Sequence, residues 1–152
     1  MTPPNETGAC RATVQPLAKI TLILAARDRI SRTRMARALA DRGCTVEMAG
    51  SAARLMEFLL RGGRPVVVLA DRLAEGLAWP ALVSLLKGCN PRAALILAVD
   101  ELSKQEDLRV RQQGVFYRTS RPVYAAEWDE LQLAIDCACR RVQREIVASS
   151  CQ

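Results

Sequence analysis

Apolar residues in this chain come in short, nearly unbroken runs separated by longer stretches of helical period. Residues 20–25 (ITLILA), 65–70 (PVVVLA) and 93–99 (AALILAV) are apolar at almost every position and have strand length. Strands apolar on both faces belong in the middle of a parallel sheet covered by helices on each side. Residues 45–49 (TVEMA) and 115–119 (VFYRT) are shorter and mixed in polarity, which suits less buried strands.

Helical patterns fill the gaps. Residues 30–41 put Met35, Ala38 and Leu39 on one side and Arg37 and Asp41 on the other, with Ile30 off the stripe and Gly43 as the stop. Ser51 is expected to cap residues 52–60, which end at Arg61-Gly62-Gly63. Pro80 fits a first helical position, and Gly88 is expected to close that run. Ser103 and Glu106 form a capping-box pattern ahead of a helix stopped by Gly114. Leu108 and Val110 do not share a face of that helix, so it should pack loosely. A last helix over residues 125–146 offers Trp128, Leu131, Leu133, Ala134, Ala138 and Val142 for burial, and its arginine-rich end suits the negative pole of the helix.

Strands alternating with helices imply parallel pairing through right-handed crossovers. The expected fold class is α/β: a doubly wound, five-stranded parallel sheet with helices on both faces. Residues 1–18 read as a disordered lead-in, 19–146 as one folded domain and 147–152 as a frayed tail.

Composition narrows this picture. A chain of 152 residues suits one domain with a real core, and with 4% aromatics that core must be aliphatic. No apolar run approaches the ~20 residues that cross a bilayer, and the N-terminus lacks the apolar segment of a secretory signal. A cytoplasmic location is expected. The six cysteines form no C-x-x-C pair, and histidine is absent. Zinc needs about four converging ligands, so the thiols read as structural or incidental in a reducing compartment. A net charge of +6 permits an acidic protein, a membrane surface or nucleic acid as partner without selecting among them. Arg27, Arg29, Arg32, Arg34 and Arg37 cluster on and before the first helix. They read as solvated charges or as a docking surface for an acidic protein. Nucleic acid fits less well, because no aromatics are interleaved and no recognition-type helix follows. No Gly-rich phosphate loop and no nucleophile–base pair argues for an independent enzyme.

Three segments carry a family resemblance. Pro65-Val-Val-Val-Leu-Ala-Asp71 resembles the third strand of response-regulator receiver domains, which ends in the phosphoacceptor aspartate. Gly114-Val-Phe-Tyr-Arg-Thr-Ser-Arg121-Pro122 resembles the passage into a fifth strand that ends in Lys-Pro. Ala40-Asp-Arg-Gly43, a short strand and Ala49-Gly-Ser51-Ala resemble the passage through the second strand. The resemblance spans about residues 19–141 and implies a flavodoxin-like sheet of order 2-1-3-4-5. It also implies a site at the carboxyl ends of the strands, where an aspartate accepts a phosphoryl group with help from Mg²⁺, a hydroxyl and a lysine.

Measured against that pattern, Asp71 stands at the phosphoacceptor position. The paired acids fall at Ala26 and Arg27, with Asp28 one place late. The hydroxyl position falls at Ala98, and Arg121 replaces the lysine. In receivers the matching Lys-Pro bond is commonly cis, so a cis Arg121–Pro122 bond is expected. The Arg27 guanidinium is a candidate to take the metal's place and pair with Asp71. Trp79 and Trp128 read as packing residues, with Trp79 on the loop above the site as an alternative cover.

The leading expectation is a pseudo-receiver: a non-enzymatic interaction module of bacterial two-component signalling, independent of phosphorylation and needing no cofactor. Its partner, another protein or a second copy in a homodimer, would dock on the face of the fourth helix, fifth strand and fifth helix. Arg109, Arg118 and Gln132 are its expected members, and the basic first helix is the other candidate surface. The alternatives are a working phosphorelay receiver on Asp71, with Asp28 and Asp71 as weak Mg²⁺ ligands, and a basic nucleic-acid-binding domain.

Overall fold

The β-branched and leucine-rich runs form strands, and the segments of helical period between them form helices. A computed structural model describes residues 20–74 and 76–150; the expected lead-in over residues 1–18 lies outside them. The order is β1 (Leu22–Ala25), α1 (Arg29–Asp41), β2 (Val46–Ala49), α2 (Ala52–Leu60), β3 (Val66–Leu69), α3 (Trp79–Cys89), β4 (Ala94–Ala98), α4 (Lys104–Gln112), β5 (Tyr117–Thr119) and α5 (Ala125–Ser150). All five strands are parallel, in the order β2-β1-β3-β4-β5.

Alternation along the strands divides the core into two layers. Ile23, Val67, Leu69, Leu95 and Leu97 face α2, α3 and α4, where Leu55, Leu59, Leu82, Leu86 and Val110 meet them. Leu24, Val66, Val68, Ile96 and Ala98 face α1 and α5, which supply Met35, Leu39, Leu131, Ile135 and Val142. Both faces of β1, β3 and β4 are therefore buried, as continuous apolar runs require.

Local signals set most helix ends. Ser51 accepts from the Arg54 N–H, and Ser103 and Glu106 exchange both capping-box bonds. α4 buries only Val110 and leaves Leu108 57% exposed, so it is as thinly anchored as its pattern implied.

Several elements depart from expectation. Gly88 does not end α3, which runs on to Cys89. The terminator is the buried Asn90, whose side chain donates to the carbonyls of Leu59 and Gly63 and accepts from the Arg92 N–H. Leu133 is 60% exposed. The buried stripe of α5 passes through Leu131, Ala134, Ile135, Ala138 and Val142, and a residue two positions from Leu131 points nearly the opposite way. α5 also continues to Ser150 instead of fraying after Ile146. There the Ser149 hydroxyl accepts from Arg64 and the Ser150 hydroxyl donates to the Ile146 carbonyl. Trp79 does not cover a cleft: it is the first residue of α3 and lies 1% exposed in the core.

Cys44, Cys89, Cys137 and Cys139 are free thiols. Burial raises the pKa of Cys44 and pushes that of Cys139 up to about 11, which suppresses the reactive thiolate.

Candidate functional site

The sheet order reverses direction between β1 and β3, and ligands of open α/β sheets bind beyond the strand ends at such a point. A cleft of about 590 Å³ opens there, lined by Arg27, Asp28, Asp71, Arg72, Gly76 and Glu101. Register explains the meeting. Ala25 lies beside Leu69 and Leu69 beside Leu97, so Asp71 emerges next to the exit of β1 and close to the end of β4.

Asp71 is held by backbone. Its Oδ2 accepts the Arg27 N–H at 2.7 Å. Its Oδ1 is buried and has no hydrogen-bond partner. The contact seen between Asp71 and Arg27, whose guanidinium was expected to pair with it, is this backbone bond.

The guanidinium that settles over the end of β1 belongs to Arg32. Its Nη1 donates to the carbonyls of Ala26 at 2.8 Å and Arg27 at 3.2 Å. Gly50, just beyond β2, makes room for it: a Cβ there would stand 2.7 Å from Nη1. Sequence reasoning listed Arg32 only as one of several arginines. The available signal was a glycine following the second strand.

Asp28 caps α1, accepting from the Ser31 N–H at 2.8 Å. Its carboxyl is held below the ordinary aspartate value, first by that backbone bond and then by the Ser31 hydroxyl, with smaller help from the charges of Arg121 and Arg32. It is committed to its own helix, although it also borders the cleft.

The Arg121–Pro122 bond is trans, contrary to expectation. The inward aim survives by another route. The Arg121 N–H is held by Asp100 Oδ1 at 3.1 Å, and its Nη2 reaches the Ala70 carbonyl at 2.9 Å. Ala98 is fully buried in the apolar layer toward α1 and α5. Asp100, Glu101 and Arg72 complete the surroundings and were not singled out by sequence.

No family model matches this chain, and no curated protein matches it. Solved structures do. A response regulator receiver domain protein from Clostridium thermocellum superposes with a TM-score of 0.69 at 17% identity, covering 85% of this chain and 99% of that one. The signal receiver domain of an HD domain-containing protein from Pseudomonas fluorescens Pf-5 gives 0.69 at 18% identity, covering 84% and 99%. A response regulator from Burkholderia pseudomallei, carrying a phosphorylated aspartic acid and a calcium ion, gives 0.63 at 15% identity and covers 86% and 75%. The chain therefore has the receiver-domain fold, with the sheet order that the sequence resemblance implied.

Proposed function

We propose that this chain is a receiver-like module of bacterial two-component signalling that acts in the cytoplasm through contact with a partner protein, without phosphorylation of Asp71. One observation carries the reading: two guanidinium groups, those of Arg32 and Arg121, bond the carbonyls of Ala26, Arg27 and Ala70 that flank Asp71. Fixed positive charge stands beside Asp71 where receivers use an exchangeable metal.

The donor set does not fit Mg²⁺. That ion demands near-octahedral hard oxygen ligands at about 2.0–2.1 Å and gives up water reluctantly. Here one oxygen of Asp71 is taken by an N–H, Asp28 is spent on its cap, and the expected acid positions hold a buried methyl and an arginine. Among the described residues, no three acidic, histidine or cysteine side chains converge to hold a metal. The phosphorelay alternative rests on Asp71 itself, whose Oδ1 has no hydrogen-bond partner.

The α4–β5–α5 face is the docking surface that best supports the reading. Asp107 of α4 pairs with Arg111 at 3.1 Å and approaches Arg118 of β5 at 3.8 Å, while Tyr117 donates to Glu130 of α5. Leu108 of α4, Tyr117 of β5 and Leu133 of α5 are exposed on the same three elements, giving the mixture of apolar anchors and charges that partner surfaces use. Arg109 is exposed on the same helix. Gln132 is not part of the face: it turns to Asp136 and Cys44, on the β2 side of α5. The basic surface of α1, with Arg29, Arg34 and Arg37 exposed, remains the candidate for an acidic partner or for nucleic acid.

Calorimetric titration with Mg²⁺ tests the proposal. No saturable heat is expected through the millimolar range. Saturable binding at millimolar affinity or tighter, lost in Asp71→Asn, would favour the phosphorelay reading.

A further inference from the structure

At the opposite end of the sheet from Asp71, a pocket of about 230 Å³ lies where β3, β4 and β5 begin. Its lining brings together four cationic side chains, Arg64, Lys87, Arg92 and Arg141, against one carboxylate, Glu145. Glu145 is divided between two of them, 3.7 Å from Arg64 Nε and 3.2 Å from Arg141 Nε. These cations come from distant parts of the chain: the residues before β3 and β4, the end of α3, and the second half of α5.

Three of them are also held in place. Lys87 Nζ donates to the Ala93 carbonyl at 3.0 Å, Arg64 is only 18% exposed at its side chain, and the Arg141 guanidinium lies over the Phe116 ring. Gly114, at φ +94°, turns the chain into β5 beside the end of the Lys87 side chain. Lys87 is held below the ordinary lysine value, first by burial and then by the like charge of Arg141, with Glu145 opposing. Gathering like charges in one cavity is unfavourable unless an anion joins them. Guanidinium forks and an ammonium are the groups that recognise phosphate oxygens.

We propose that this pocket binds a small polyphosphate anion, a di- or triphosphate chain, either free or as the tail of a small molecule. Its place at the amino ends of the strands separates it from the Asp71 cleft, and the proposal does not rest on how Asp71 is used.

Calorimetry with inorganic triphosphate at constant ionic strength tests it, with a nucleoside triphosphate in a parallel arm. One saturable site is expected, weakened about tenfold or more in Lys87→Gln and in Arg92→Ala, since each removes a charged hydrogen-bond donor. Arg92 is exposed, so its variant serves even if Lys87→Gln unfolds the chain. The variant Arg54→Ala, which strips an exposed charge from α2 outside the pocket, should bind as the parent does. Equal affinity for the two ligands marks the phosphate chain alone as the recognised group, and tighter nucleotide binding marks a nucleotide. Absence of saturable heat, an equal loss in Arg54→Ala, or tighter binding of a short oligonucleotide would overturn the proposal.

Discussion

Arg32 shows how one side chain can reorganise a site without touching its central residue. Its guanidinium bonds the carbonyls of Ala26 and Arg27, and the Arg27 N–H in turn holds Asp71. Charged hydrogen bonds are worth about 1.5–3 kcal/mol. Gly50→Ala would push Nη1 from its place, so it should destabilise the fold by about that amount. Arg32→Ala should do the same, and the double variant should be little worse than either alone, because both remove one interaction. Urea unfolding of the four proteins measures this; additive losses would show that Gly50 and Arg32 act separately. Ala26 is the other informative residue. Its methyl is fully buried in the layer facing α1 and α5, so Ala26→Asp should cost about 1–3 kcal/mol of stability, whereas Arg27→Asp lies at an exposed position. Restoring an acid site by sequence alignment alone therefore disturbs the core first. Ala98→Thr should leave Mg²⁺ binding unchanged, since it supplies a hydroxyl and no metal ligand; a gain in calorimetry would contradict this. The place of Asp71 at the carboxyl edge of the sheet was legible in the sequence because it follows directly on an apolar run of strand length, whereas the expected aim of Arg121 rested on a cis bond that is not there. Arg32 was not legible, because a bond to backbone carbonyls leaves no mark that separates one arginine from its neighbours. Nor was the trans Arg121–Pro122 bond, since an X-Pro pair accepts either isomer at little cost.

The elements were read more easily than their ends. Continuous apolar runs announce buried parallel strands, and each of the five appears within one or two residues of its expected limits. Helix ends depend on tertiary partners. Asn90 ends α3 by bonding α2 and the loop after it, and α5 is prolonged by Ser149 reaching Arg64. Neither bond can be inferred from local spacing. The start of α5 makes its own prediction. Glu127 Oε1 accepts the N–H groups of Val123 and Tyr124 at 2.7 and 2.9 Å. Those backbone bonds, the Tyr124 bond first, hold its carboxyl below the ordinary glutamate value. A carboxylate lowered in the folded state stabilises above its unfolded pKa, and the benefit is lost as pH falls through its folded value. Loosening of the first turn of α5 is thus expected only as pH falls below the ordinary glutamate range, and Glu127→Gln should weaken that turn at neutral pH and blunt its acid sensitivity. Amide exchange of residues 123–128 by NMR reads both. Unchanged protection in Glu127→Gln would remove Glu127 from the cap.

At the scale of the whole molecule, the two ends of the sheet differ in chemistry. The carboxyl end holds a carboxylate among arginines that bond backbone, and the amino end holds a cationic pocket with little acid to balance it. On α5, Leu133 is exposed where the sequence suggested a core position. The receiver-domain fold supplies the scaffold on which both ends are built. The most direct test of the proposed function is intact-mass measurement after incubation with Mg²⁺ and a small-molecule phosphodonor, on the unaltered chain and on Asp71→Asn. The account predicts that both keep their unmodified mass. A single phosphoryl adduct on the unaltered chain, formed in full and absent from Asp71→Asn, would contradict it and establish Asp71 as a working phosphoacceptor.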